Sequence, residues 1–252
     1  MNIDILRKAL AEFVGTFTLL FAVAASILLA DQVAGLFGVA IAQGIAIAMM
    51  VSAVGHISGA HFNPAITFGA LLTRRIGIVL AVVYVVAQLA GGTLAVLVVR
   101  ELFPDGLDIG ATVPTLQGGL EPWQGLLLEA LATFFLVWVV FATAIDPRGS
   151  FKAIAGLTIG AAITFGVLLL GPITGGVMNP ARAFASEVVD WNWTNAWIYY
   201  VGPLVGGGLA ALIYDGVYLS GELEEPEPGL PGPEEGPIEA IVEPVEPRPD
   251  ES

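Results

Sequence analysis

Two Asn-Pro-Ala triplets, Asn63-Pro64-Ala65 and Asn179-Pro180-Ala181, are the residues of this 252-residue chain whose type and spacing imply a task most directly. Asparagine is a favoured helix N-cap and proline suits the first helical position, so each triplet predicts the start of a helix. The apolar runs that follow, residues 65–72 and 181–189, are too short to span. They would cover about 12 to 14 Å, roughly half the hydrocarbon of a bilayer. Two such half-helices meeting N-terminus to N-terminus would aim their positive dipole ends and the Asn63 and Asn179 amides at whatever passes. Water there would turn its oxygen toward the asparagines, and cations would meet unfavourable potential. Arg182 lies three residues beyond Asn179 and shares its helix face, whereas the first triplet has Ile66 at that place. A cation beside a helix N-terminus opposes the dipole and is costly at membrane depth. Arg182 is therefore predicted to be a filter residue that donates hydrogen bonds to a polar neutral solute and repels cations, protons included.

Such an arrangement needs a membrane body to hold it, and the composition supplies one. Hydrophobic residues make up 56% of the chain, charged residues 13%, and the mean hydropathy is +0.82, which excludes an ordinary soluble domain. Apolar stretches at about 9–30, 33–54, 76–99, 122–145, 153–170 and 192–214 predict six membrane-spanning helices. The first contains Glu12 and is too long for a signal peptide, so it reads as a retained helix. Arg7, Lys8, Arg74, Arg75, Arg148 and Lys152 all fall on one side if the termini are cytoplasmic; Arg100 is the clear exception on the other. That orientation describes a multi-pass protein of the cell membrane. The formal charge of −14 is unevenly placed: residues 221–252 carry eleven acids, one arginine and eight prolines. This composition predicts a disordered cytoplasmic tail, 221–252, appended to a nearly neutral channel domain, 1–220, and argues against nucleic acid as a partner.

The body repeats itself. Gly55-His-Ile-Ser-Gly-Ala-His-Phe-Asn-Pro-Ala65 matches Gly171-Pro-Ile-Thr-Gly-Gly-Val-Met-Asn-Pro-Ala181 at an offset of 116, with six of eleven positions identical. Glu12-Phe-Val-Gly-Thr-Phe17 resembles Glu129-Ala-Leu-Ala-Thr-Phe134, and Leu89-Ala-Gly-Gly resembles Leu204-Val-Gly-Gly. The halves, about 5–100 and 122–218, each hold three spans. An odd number forces the second copy to begin on the opposite side of the membrane, so the repeat is inverted. Broken helices at this depth must be buried in protein or line a water-filled cavity. The glycine-rich segments 55–60 and 171–176 are expected to run extended and present carbonyls to it.

Paired Asn-Pro-Ala boxes, Arg182 after the second, and an early membrane glutamate in each half resemble the aquaporin or major intrinsic protein family over residues 5–218. The resemblance implies an all-α membrane protein: an aquaporin-like bundle of six tilted transmembrane helices plus two re-entrant half-helices, one pore per subunit, and a homotetramer. It also implies a four-residue filter, which spacing from the two asparagines carries onto Gln43, Val167, Gly176 and Arg182. Water-specific members usually have phenylalanine and histidine where this chain has Gln43 and Val167. The opening is then wider and keeps polar character at Gln43. Ala183 stands where glycerol-conducting members have aspartate, while Tyr199-Tyr200 matches the aromatic pair of the water group. Water is the expected permeant, with glycerol, urea or metalloid hydroxides as an extension.

Glu12 and Glu129 could be proton-coupling carboxylates, but their symmetric placement favours accepting hydrogen bonds from the irregular backbone of their own half. Gln88 takes the same role. His56 and His61 sit in one loop without a carboxylate or cysteine cluster, so they are expected to order backbone beside the pore and to hold no metal. No cysteine, nucleophile–base pair or cofactor motif is visible, so neither an enzyme nor a cofactor is expected. The competing reading is an inverted-repeat secondary transporter of a small neutral solute, which would need a coupling-ion site.

Overall fold

The computed structural model describes residues 3–103, 107–148 and 152–219. The expected tail, 221–252, lies outside the described residues. Among the described residues the chain is all helical, with eight α-helices: α1 Ile3–Leu28, α2 Gly35–Ser58, α3 Pro64–Leu72, α4 Ile78–Leu102, α5 Pro122–Val140, α6 Ala155–Leu170, α7 Pro180–Asp190 and α8 Trp197–Tyr214. Single π-helical turns, Phe141–Ile145 and Asp215–Leu219, extend α5 and α8. Five helices, counting these extensions, are long and apolar enough to cross a membrane. The sixth expected span differs: α6 has 16 residues and is preceded by a 3-10 turn, Lys152–Ile154. It stops at Leu170 because Gly171-Pro172 begins the turn that leads into the second Asn-Pro-Ala. The first span starts at Ile3 and the last at Trp197, against expected starts near 9 and 192.

Helix pairing follows the repeat. Within each half the first and last helices pack together, α1 on α4 and α5 on α8, while α2 packs on α6 across the halves. Each half-helix packs against the last helix of the opposite half, α3 on α8 and α7 on α4. Glycine permits the closest approaches. A Cβ on Gly91 would fall on the Phe13 carbonyl, and one on its repeat mate Gly206 would fall on the Ala130 carbonyl. Without a hydrophobic drive between helices in lipid, such small-residue contacts let backbones meet and gain dispersion energy. Outward faces are apolar, as bilayer contact requires: Val79, Val82 and Val86 on α4 are 68%, 55% and 61% exposed.

Asp146 and Arg148, just beyond the end of the span that begins with α5, tie it to the end of the last span. Asp146 is buried and accepts from the Arg148 backbone at 2.9 Å, from Arg148 Nε and Nη2 at 3.0 and 2.7 Å, and from the Tyr214 hydroxyl at 3.0 Å. Arg148 also donates to the Tyr218 carbonyl at 2.6 Å. Hydrogen bonds from Arg148 outweigh burial and hold the Asp146 carboxyl down at about 2. Arg75 pairs with Asp215 and lies over the Phe141 ring, which adds the α3–α4 turn to the clasp.

Candidate functional site

Both half-helices begin as the sequence predicts. Asn63 Oδ1 accepts from the Ala65 N–H at 2.8 Å and Asn179 Oδ1 from the Ala181 N–H at 2.9 Å, each asparagine being the N-cap with proline at the first helical position. Each caps its own helix and also reaches across. Asn63 Nδ2 donates to the Met178 carbonyl at 2.8 Å, and Asn179 Nδ2 donates to the Phe62 carbonyl at 2.9 Å. The half-helices thus meet at their N-termini. Ala65 and Ala181 are fully buried, and Pro64 and Pro180 are buried beside them.

The segments leading into the triplets share one backbone path. Left-handed φ values recur at Gly59, Ala60 and Phe62 (88°, 52° and 49°) and at Gly175, Gly176 and Met178 (93°, 55° and 52°). The expectation of extended chain over 55–60 and 171–176 is corrected here. Residues 55–58 complete the last turn of α2, 171–174 form a turn, and the stretches that leave regular structure are 59–63 and 175–179. Left-handed Gly59 and Gly175 end those turns, a conformation glycine adopts without a Cβ penalty.

Two carboxylates hold these stretches. Glu12, fully buried, accepts at Oε1 from the Ser58 hydroxyl (2.7 Å) and the His61 N–H (2.9 Å), and at Oε2 from the Phe62 N–H (2.7 Å) and Gln88 Nε2 (2.9 Å). Glu129, equally buried, accepts at Oε1 from the Thr174 hydroxyl (2.6 Å) and the Val177 N–H (3.0 Å), and at Oε2 from the Met178 N–H (2.8 Å). Every donor pair is related by the offset of 116, apart from Gln88, whose repeat mate is Pro203. Gln88 also donates to Thr67 Oγ1 at 3.0 Å, and His61 Nδ1 lies 3.1 Å from the same oxygen. His56 sits apart from this network, exposed on the last turn of α2. It is on a helix because α2 runs through Gly55 to Ser58. No group of three His, Cys, Asp or Glu residues with metal-holding geometry occurs among the described residues.

Three of the four residues carried over as a filter line one cavity of about 330 Å³: Gln43 from α2, Val167 from α6 and Arg182 from α7. Glycine 175, not Gly176, joins them in the lining. Gly176 turns toward α6, where an added Cβ would sit 3.0 Å from the Gly166 carbonyl and from the Val167 Cα. Arg182 is 5% exposed and its Nη1 donates to the Thr112 carbonyl at 3.0 Å. Thr112 ends a 3-10 turn, Ile109–Thr112, whose start is capped by the Asp108 side chain on the Gly110 N–H at 2.9 Å. The sequence reading missed this turn, although an aspartate two residues before a glycine signals it. Arg182 and Gln43 thus line a space whose apolar walls include Val39 and Val167. That arrangement can hydrogen-bond a small polar molecule while opposing a cation.

Comparison with known proteins agrees with this geometry. The profile of the family described as Major intrinsic protein matches residues 1–214. The chain is 44% identical to "Probable aquaporin TIP3-2" of Arabidopsis thaliana over 238 residues, covering 88% of both chains. It is 41% identical to "Aquaporin TIP4-4" of Zea mays, covering 88% of this chain and 90% of that one. Among solved structures, the X-ray structure of the aquaglyceroporin from Plasmodium falciparum superposes with a TM-score of 0.77 at 22% identity, over 84% of this chain and 96% of that one, which establishes a shared fold. With its two capped half-helices, its inverted repeat and a family match over nearly the whole described body, this multi-pass membrane chain belongs to the Major intrinsic protein family.

Proposed function

We propose that residues 1–220 form a passive channel for water that also admits small uncharged solutes such as glycerol, urea and metalloid hydroxides, excludes ions and protons, and performs no chemical step. The observation that carries this reading is the cavity on which Gln43, Val167 and Arg182 converge. Among the described residues that line it, Arg182 alone is charged, and Gln43 and Val167 contribute an amide and an aliphatic side chain. A lone buried cation among neutral groups raises the energy of passing cations and costs a neutral solute little. The relatives named as aquaporins support water as the permeant. An alternating-access carrier would need a carboxylate free to bind a coupling ion. Glu12 and Glu129 instead accept backbone N–H groups at short distance, which supports the channel reading.

Functional assembly is a homotetramer in the cell membrane with both termini cytoplasmic. Arg7, Lys8, Arg74, Arg75 and Arg148 on one side support that orientation.

Stopped-flow light scattering of proteoliposomes tests the proposal. Water flux should be linear in the osmotic gradient and weakly dependent on temperature, and re-swelling should follow with at least one of the three solutes. Saturating, steeply temperature-dependent flux would establish a carrier instead. Gln43→Phe combined with Val167→His should narrow the cavity and lower solute flux more than water flux.

A further inference from the structure

The two half-helices are built alike at their N-termini and differently beyond. Where α3 has Ile66, Ala70 and Leu71, α7 has Arg182, Ser186 and Glu187, all three buried. Glu187 is 1% exposed, and its Oε2 accepts a short hydrogen bond from the Tyr200 hydroxyl of α8. At the position of Tyr200 the first repeat has Val85. The Glu187–Tyr200 bond therefore has no counterpart at the equivalent place in the first half, where Leu71 and Val85 stand. Burying a carboxylate costs several kcal/mol unless its interactions compensate, and an aliphatic residue fills the equivalent place in α3. A packing role alone does not account for Glu187.

Its position along α7 does. Asn179 and the Glu129-bound stretch secure the N-terminal end of the half-helix, and Arg100 donates to the Val189 carbonyl near the other end at 3.5 Å. Arg182 lies between these anchors, five residues before Glu187, about 7.5 Å along the axis. We propose that Glu187 and Tyr200 are positioning residues for the filter: their hydrogen bond locks α7 to α8 and thereby sets the depth and rotation of Arg182 opposite Gln43 and Val167. This rests on the reading of that cavity as the selectivity filter. A buried hydrogen bond is directional and costly to leave unmade, which suits this one to hold a helix register. Misplacing a selecting group by a fraction of its contact distance is enough to alter discrimination.

The test compares Tyr200→Phe, Glu187→Leu, Glu187→Gln and the Glu187→Leu/Tyr200→Phe double variant in proteoliposomes, reading the ratio of urea to water permeability. Tyr200→Phe and Glu187→Leu should each shift the ratio in the same direction by about threefold or more, scaled to the tolerance of preorganised sites. The double variant should shift it no further, and Glu187→Gln, which keeps an acceptor for the phenol, should stay near wild type. An unchanged ratio in Tyr200→Phe, a change that removes only one hydroxyl and keeps the fold, would overturn the proposal. So would a Glu187→Gln variant that moves as far as Glu187→Leu, since charge and not the bond would then be responsible. Wild-type protein that conducts no water would remove the filter reading itself, and the wild-type control separates that failure from failure of the pair.

Discussion

Asn63 and Asn179 each bond to the backbone of the other's approach segment, Asn63 Nδ2 to the Met178 carbonyl at 2.8 Å and Asn179 Nδ2 to the Phe62 carbonyl at 2.9 Å. Each carboxamide thus joins two half-helices through one nitrogen and caps its own through the oxygen. Asparagine suits both tasks because it offers a donor and an acceptor on one short, planar group. Asn179→Asp keeps the cap and sets an oxygen against the Phe62 carbonyl. A loss of about 1–3 kcal/mol is expected, as for any buried group left without its partner. Thermal unfolding in detergent should show that loss, and Asn63→Asp should match it because the contacts are equivalent.

Removing acceptors from Glu129 should destabilise in steps. Glu129→Gln leaves one backbone N–H without an acceptor, whereas Glu129→Leu leaves those of Val177 and Met178 and the Thr174 hydroxyl. Each orphaned buried donor costs about 1–3 kcal/mol, so the leucine variant should lose at least twice as much as the glutamine variant. Equal melting temperatures for the two variants would contradict the accounting.

Arg182→Val should raise proton or cation leakage by about tenfold or more, because a buried charge near a narrow passage imposes a barrier of several kcal/mol. Ion flux into liposomes carrying a pH-sensitive dye measures this directly. Unchanged leakage would remove the charge barrier from the mechanism.

Gly206→Ala should wedge α8 away from α5, since the new methyl meets the Ala130 backbone and not a movable side chain. Overpacking of this kind costs about 1–3 kcal/mol. Gly91→Ala should behave alike at the α1–α4 contact, and both losses should appear as lower unfolding temperatures.

Asp146→Asn should lower stability at neutral pH. Because the folded-state value of the Asp146 carboxyl, about 2, lies below its ordinary 3.8, its charge stabilises the fold above about pH 4, and that contribution is lost as pH falls through 2. Unfolding temperatures of wild type and variant should therefore converge toward pH 2. A difference that persists unchanged at that pH would assign the effect to shape and not to charge.

Repetition was legible in the chain itself, and with it much of the architecture. An odd number of spans per copy requires inversion, Asn-Pro requires a helix start, and an apolar run of half the bilayer thickness requires a half-helix, all from local periodicity and chain geometry. The glutamate pair was legible for the same reason, since a repeated buried acid implies a repeated set of donors. What a carboxylate touches is a different matter. That Arg182 donates to Thr112, that Asp146 reaches Tyr214, and that Glu187 meets Tyr200 are contacts between segments 13 to 70 residues apart, and no local period encodes them. The end of α2 was also misread, because Gly55 looked like a break while the left-handed turn waits until Gly59. Local sequence determined which elements exist and where they start. Only their packing decided which buried polar groups meet, because desolvation makes each of them depend on a partner that the fold must bring to it.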